Sequence, residues 1–379
     1  MKALPLISEQ EDLAGKRVLL RVDLNVPLEA GEVRDAYRIE QSIPTIDLLR
    51  NKGARVVLLA HIGKGKPEDT LGPVAKWLNK KFPLTFLDRL TSPENVRVIN
   101  AMHDGDVVLL ENLRHDPGEE KNDPSFASYL ASLGDIYVND AFGVSHRAHA
   151  SVVGITALLP SYAGLLLAEE VKQLAAAFTP GHPFLFILGG AKISTKMPLL
   201  KKFLNVADHV FVGGVAANDF LKVCGHEVGR SVIDLAELDG IKSYSAHERL
   251  ILPSDVVVKN EAGAEVRGVD GVAEGDMIVD VGTKTIQGLE EIVARAALIV
   301  WNGPLGYYEA GYTEGTRELL SLIANSRATS IIGGGDTVAL INEMGFSDRF
   351  SFVSTGGGAM LDYLANETLP GIDALTKPK

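Results

Sequence analysis

One alternation constrains this chain more than anything else in it. Short runs of apolar, β-branched residues recur, most are followed by glycine or polar residues, and a longer helical pattern comes next. In the first half the runs are RVLLRVDLNVP (Arg17–Pro27), ARVVLLAHIG (Ala54–Gly63), DVVLLENLR (Asp106–Arg114) and IYVNDAFG (Ile136–Gly143). In the second half they are FLFILGGAK (Phe184–Lys192), HVFVGGVAAN (His209–Asn218), LIVWNGPLG (Leu298–Gly306), TSIIGGGDT (Thr329–Thr337) and SFVSTGGGAM (Ser351–Met360). Continuous apolar strands alternating with helices predict parallel sheets covered on both faces. Ligands of such sheets bind beyond the carboxyl ends of the strands, so the residues just after each run carry the functional information. With 379 residues the chain exceeds the ~250–300 residues that one core sustains, which predicts two domains. AGLLLAEEVKQLAAAF reads as an amphipathic helix broken by TPGHP, placing the boundary near Ala163–Pro183.

The two halves carry different chemistry at their strand ends. In the first, Arg21 precedes Asp23 and Asn25, His61 and Lys64 follow the second run, Arg114 follows the third, and His146, Arg147 and His149 follow DAFG. Arg38 opens a helical stretch. Each of these alone reads equally as a surface cation paired with a local acid. Collected at one sheet edge of a chain with net charge −12, they make a focused positive pocket, and arginine offers a planar fork for carboxylate or phosphate. The second half uses glycines: Gly189-Gly190, Gly213-Gly214, Gly333-Gly334-Gly335 and Gly356-Gly357-Gly358 all follow apolar runs. Glycine lets backbone N–H groups approach an anion, and a following helix N-terminus adds its dipole. Lys192 and Lys196 are spaced i,i+4, so a helix beginning after Gly190 would put them on one face; taken alone they read as a solvated pair. Asp336 after the triple glycine reads as a helix N-cap or as a carboxylate holding Mg²⁺ against phosphate.

Several classes are disfavoured. The acidic balance opposes nucleic-acid binding, and the single cysteine, Cys224, cannot form an intrachain disulfide, which fits a reducing cytosol. The first residues lack the apolar core of a signal peptide. Val152–Ala168 is uncharged but short and interrupted by proline and glycine, so a buried loop leading into a helix is expected there rather than a membrane span. No G-x-x-x-x-G-K-[ST], no G-x-G-x-x-G after a strand, no H-E-x-x-H and no G-x-S-x-G occurs, which counts against P-loop NTPases, nicotinamide-binding domains, metalloproteases and α/β-hydrolases. A basic pocket on one lobe and a glycine-rich site on the other suggest phosphoryl transfer between a small acid and a nucleotide, a reaction that needs positioning and charge neutralisation above all.

Seven segments, taken in order, resemble the phosphoglycerate kinase family: RVDLNVP (Arg21–Pro27), ENLRHDPGEEKND (Glu111–Asp123), DAFGVSHRAHAS (Asp140–Ser151), GGAKISTK (Gly189–Lys196), WNGPLGYYE (Trp301–Glu309), GGGDT (Gly333–Thr337) and STGGGAML (Ser354–Leu361). The resemblance implies two Rossmann-like parallel-sheet α/β/α domains joined by a hinge helix. Residues 1–165 would bind 3-phosphoglycerate, 166–360 would bind nucleotide, and 361–379 would return to the first domain. It implies reversible phosphoryl transfer between 1,3-bisphosphoglycerate and ADP, giving 3-phosphoglycerate and ATP, in a cytoplasmic monomer without nucleic-acid or membrane partners. By the same resemblance, Asp23, Asn25, Arg38, His61, Lys64, Arg114 and Arg147 would meet the acid. Lys192, Lys196, Gly213, Glu309, Gly334, Gly335, Asp336 and Thr337 would meet the nucleotide. Asp336 would hold Mg²⁺, and Arg38, Lys196, Gly357 and Gly358 would act on the transferring group.

Four positions depart from the family pattern: Lys64 stands where arginine is usual, His115 for phenylalanine, Thr283 for proline and Asp362 for glutamate. Lysine keeps the charge but not the bidentate fork, so weaker acid binding than in an arginine-bearing relative is expected. The rival readings are a nicotinamide-dependent dehydrogenase and a non-catalytic nucleotide- or anion-binding protein of the same fold.

Overall fold

A computed structural model describes residues 3–190, 193–235 and 238–377. The chain divides into two compact units, Met1–Lys172 with Asn366–Lys379, and Gln173–Ala365.

The first unit is built on a six-stranded parallel sheet whose spatial order is Thr85–Leu87, Val107–Leu110, Arg55–Leu59, Arg17–Arg21, Ile136–Asn139 and Ser161–Ala163. Its central strands are apolar at nearly every position because both faces are covered: Val18, Leu19 and Leu20 pair in register with Val56, Val57 and Leu58, and all six are fully buried. Helices Tyr37–Asn51 and Gly72–Leu78 contribute Ile39, Ile46, Leu49, Val74 and Leu78 to one core. Val152–Ala168 proves to be a 3₁₀ turn (Gly154–Ala157), an edge strand (Ser161–Ala163) and the start of the helix Leu165–Leu174. No helix among the described residues is long and apolar enough to cross a membrane. The C-terminal helix Pro370–Thr376 packs in this unit, with the Gly371 amide donating to Ser145 O at 2.8 Å.

The second unit carries a six-stranded parallel sheet ordered Leu250–Ile251, His209–Val212, Phe184–Leu188, Leu298–Asn302, Thr329–Gly333 and Phe352–Val353. In chain order these are strands 3-2-1-4-5-6 of the sheet, the doubly wound arrangement of dinucleotide-binding folds, and the order reverses between Phe184–Leu188 and Leu298–Asn302. Both strands at that switch are buried along their whole length. Phe186 stacks on Phe203 of helix Met197–Val206 with ring centroids 4.1 Å apart, and Phe184 meets the same ring edge-on; such pairs add about 0.5–1.5 kcal/mol beyond area burial.

Two local expectations are corrected. An antiparallel three-stranded sheet, Gly263–Gly268, Asp255–Asn260 and Met277–Val281, sits outside the parallel pattern. Its hairpin strand Gly263–Gly268 is almost wholly exposed, so it lacks the apolar run that marks the other strands. The helix after Gly190 begins only at Met197, preceded by a 3₁₀ turn Ser194–Lys196, so Lys196 stands at the helix start. Lys192 lies outside the described residues.

Candidate active site

In the first unit the chain leaves Arg17–Arg21 into Val22–Asn25, and the residues beyond neighbouring strands fold over it. Asp23 is buried, its Oδ1 accepts the Asn25 amide at 3.1 Å, and Asn25 Oδ1 accepts the Gly63 amide at 3.0 Å. Arg38, at the start of its helix, donates from Nη1 to Asn25 O at 2.9 Å and lies 3.7 Å from Asp23 Oδ2. These three residues therefore form one group, tied through Gly63 to the loop after the second strand.

The remaining cations form a second group. Arg114 donates to Gly63 O, and its Nε lies 3.1 Å from Glu120 Oε1 without the alignment of a hydrogen bond. Burial first, then the nearby Arg147 guanidinium, pulls the Arg114 pKa below its ordinary value; Glu120 opposes the shift. His61 is 3% exposed. Burial pushes its pKa well below the usual imidazole range, and Arg21, Arg114, Arg147 and His149 push the same way. His149 is held down to about 4, again by burial and then by Arg21 and Arg147. Glu120 and Glu119 act against the shift at Arg114, and burial with the neighbouring Arg147 outweighs them there. Such a cluster is complementary to a polyanion and costly without one. The Lys64 side chain is exposed, and its backbone amide donates to Asp69 Oδ2 at 2.8 Å.

Three residues that sequence reasoning passed over hold this pocket together. Asn112 receives the amides of Ile62 and Arg114 on Oδ1 and donates from Nδ2 to the carbonyls of Ile62 and Asp69. Glu119 and Ser151, both fully buried, pair through Ser151 Oγ to Glu119 Oε1 at 2.6 Å and Ser151 N to Oε2 at 3.0 Å. Arg21 Nε donates to the same Ser151 oxygen at 2.9 Å. A Glu or Ser in a loop carries no local signal for this; the partners are far apart in sequence.

The second unit gathers its glycines at the switch point. The Gly189 amide donates to Asn302 O at 2.9 Å and the Gly190 amide to Pro304 O at 2.6 Å, and a Cβ on Gly189 would collide with the carbonyl oxygens of Gly303 and Pro304. Lys196 is 5% exposed, its ammonium donates to Gly189 O, and desolvation pulls its pKa down to about 8. Three helices, Gly214–Val223, Gly335–Glu343 and Gly357–Asn366, start directly after strands of this sheet. Gly213 caps the first of them and takes its own amide bond to Leu188 O at 2.9 Å. Gly334–Gly335 and Gly357 adjoin, and Asn302 Nδ2 donates to Gly357 O at 3.2 Å. Apart from their chain neighbours and their own helix backbone, nothing among the described residues lies within 4 Å of where a Cβ on Gly335 or Gly358 would be, so both present bare backbone at a helix N-terminus.

Gly334, not Asp336, is the N-cap of its helix, which removes the capping explanation for that carboxylate. Asp336 is half-buried, and burial followed by the charge of Glu309 raises its pKa. The Thr337 hydroxyl is buried with no partner among the described residues. No cluster of three or more His, Cys, Asp or Glu able to hold a metal occurs among the described residues. Mg²⁺ needs only one or two carboxylates when phosphate oxygens and water complete its shell, so the half-buried Asp336, which feels the charge of Glu309, fits the ion in that form.

A side-chain cation cluster on one parallel α/β unit, with helix N-termini and a buried lysine on another, defines the class: an α/β phosphotransferase. The sequence profile of the phosphoglycerate kinase family matches residues 8–367. Curated phosphoglycerate kinases of Dictyoglomus turgidum and Rubrobacter xylanophilus are each 44% identical, with 96% of both chains covered. The solved phosphoglycerate kinase of Coxiella burnetii superposes with a TM-score of 0.83 at 38% identity over 99% of each chain. That of Pyrococcus horikoshii superposes with a TM-score of 0.88 at 31% identity over 98% of each. The chain belongs to the phosphoglycerate kinase family.

Proposed function

We propose that the chain catalyses reversible transfer of a phosphoryl group from 1,3-bisphosphoglycerate to ADP, giving 3-phosphoglycerate and ATP, as a cytoplasmic monomer in glycolysis and gluconeogenesis. The observation that carries the substrate assignment is the cation cluster of the first unit, in which Arg21, Arg114 and Arg147 act on the buried His61. His61, Arg114 and Arg147 grip the distal phosphate of the acid, Asp23 and Asn25 orient it, and Lys64 reaches it from the rim. Arg38 stands beside the transferring group. Gly213 faces the adenine and Glu309 the ribose; Lys196, Gly334, Gly335 and Thr337 surround the phosphates, and the amides of Gly357 and Gly358 point at the transferring phosphoryl.

In the direction of ATP synthesis a β-phosphate oxygen of ADP bonds to the acyl phosphorus, the bond from phosphorus to the C1 carboxyl oxygen breaks, and the carboxylate leaves with its electron pair. In reverse the attacking carboxylate is already ionised at neutral pH, so no general base is required. The protein supplies positioning and fixed positive charge at the oxygens where charge develops. Asp336 would hold Mg²⁺ on the nucleotide phosphates, where the ion supplies additional charge neutralisation. Because acid and nucleotide are held on different units, transfer requires closure of the hinge helix region over both, which excludes water from the acyl phosphate.

The test is ATP-dependent phosphorylation of 3-phosphoglycerate coupled to glyceraldehyde-3-phosphate dehydrogenase, read as NADH loss with and without Mg²⁺. Turnover that requires both is expected. A folded protein that binds ATP and does not turn over would overturn the reading in favour of a binding protein.

A further inference from the structure

Within the cation cluster, one hydrogen bond dictates where a proton sits. Arg21 is fully buried at the end of its strand, and its Nη2 lies 3.1 Å from His61 Nδ1. A guanidinium nitrogen donates and cannot accept, so Nδ1 must accept and the ring proton must be on Nε2. The guanidinium is itself clamped: Nη1 donates to Val22 O, and Nε donates to Ser151 Oγ, whose own proton goes to Glu119 Oε1. Glu119 lies behind this chain and 3.7 Å from His149. The charged and titratable groups that act on His61, namely Arg21, Arg114, Arg147 and His149, come from three separate segments, and all oppose a second proton on the ring. Among the described residues Nε2 has no protein partner.

We propose that Arg21 is a positioning residue that, through the Glu119–Ser151–Arg21 chain, holds His61 in the tautomer whose Nε2–H donates to the phosphate of the bound acid. The pocket thus takes its histidine contact from an uncharged donor, leaving the cationic contacts to arginine. One consequence is that acid affinity does not strengthen as pH falls through the ordinary imidazole range. The role toward the acid rests on the reading of the first unit as the 3-phosphoglycerate site; the ring assignment does not.

Long-range proton–nitrogen correlation spectra of the full chain, labelled at histidine nitrogens and free of ligand, report the tautomer directly between pH 5.5 and 8. An unprotonated Nδ1 and a protonated Nε2 on His61 are expected throughout. Arg21→Met should mix the tautomers and let the ring titrate, while the KM for 3-phosphoglycerate rises and that for ATP stays. Since that buried change can unfold the unit, His61→Gln and His61→Ala provide a second measurement. Gln retains an uncharged N–H donor, so its 3-phosphoglycerate affinity should stay within about fivefold of wild type, whereas Ala should lose about tenfold or more, the size of a hydrogen bond to a charged group. A ring protonated on Nδ1 at pH 7, or a Gln variant as weak as Ala, overturns the proposal. A wild-type protein that shows the Nε2–H ring yet fails to bind 3-phosphoglycerate supports the ring assignment and overturns the functional reading instead.

Discussion

On the proposed reading, the two units would meet anions by opposite means. The first uses side chains: guanidinium groups around His61 and His149, two imidazoles held below their ordinary range by burial and then by the arginines. The second uses main chain: glycines at strand ends, three helix starts, and the buried Lys196, whose ammonium donates to Gly189 O. The difference teaches what each kind of site can discriminate. A side-chain pocket sets charge and shape residue by residue, so it suits a small acid with a phosphate in one fixed place. A main-chain site offers the same N–H groups to any phosphate chain and depends on the absence of Cβ atoms.

If the comparison is right, single substitutions should affect the units differently. The largest effect is expected from Arg38→Ala, which on the proposed reading removes a preorganised positive group beside the transferring phosphoryl; kcat should fall about 10²–10³-fold, and near-wild-type turnover in the coupled assay would remove Arg38 from the mechanism. Next is Gly334→Ala. Gly334 has φ +104, and a Cβ there would lie 2.9 Å from the Gly303 amide nitrogen, so about 1–3 kcal/mol of strain should show in denaturant unfolding. Nucleotide affinity by calorimetry should drop while 3-phosphoglycerate affinity stays. Equal loss of both ligands would erase the distinction between a main-chain and a side-chain site.

Lys196 gives a pH signature to the second unit alone. Desolvation lowers its pKa to about 8, so in the ligand-free protein the ammonium is lost as pH rises through that value. ATP affinity should therefore weaken between pH 7 and 9.5, and Lys196→Arg, which cannot deprotonate in this range, should flatten the profile; a decline unchanged in the variant would assign it elsewhere. The smallest effect is expected at Lys64→Arg. The side chain is exposed, so the gained fork should tighten 3-phosphoglycerate by about two- to fivefold, as for an exposed ion pair. Calorimetry showing no gain would mean that Lys64 lies outside the pocket.

Much of the frame was legible beforehand because it is local. Phe184–Leu188 and Leu298–Asn302 announce themselves as unbroken apolar runs, since a strand buried on both faces cannot afford a polar side. The glycines stand directly after them, and the arginines stand just beyond the ends of theirs. The antiparallel sheet was not legible, because Gly263–Gly268 is solvent-exposed along nearly its whole length and buries too little to need a pattern. Nor was the role of Asn112, whose four hydrogen bonds bridge two loops about fifty residues apart.

The amino-acid order by itself determined the strands, their helices, the side-chain cations on one half and the bare backbone on the other, because periodicity and residue type act over a few neighbours. It also carried the segments by which the family is identified. Only the tertiary structure decided the state of those groups. Arg21 reaches His61 across 40 positions and Ser151 across 130, and Gly334 replaces Asp336 as the cap of its helix. Protonation depends on desolvation and on charges within a few ångströms, and those distances do not exist until the chain has folded.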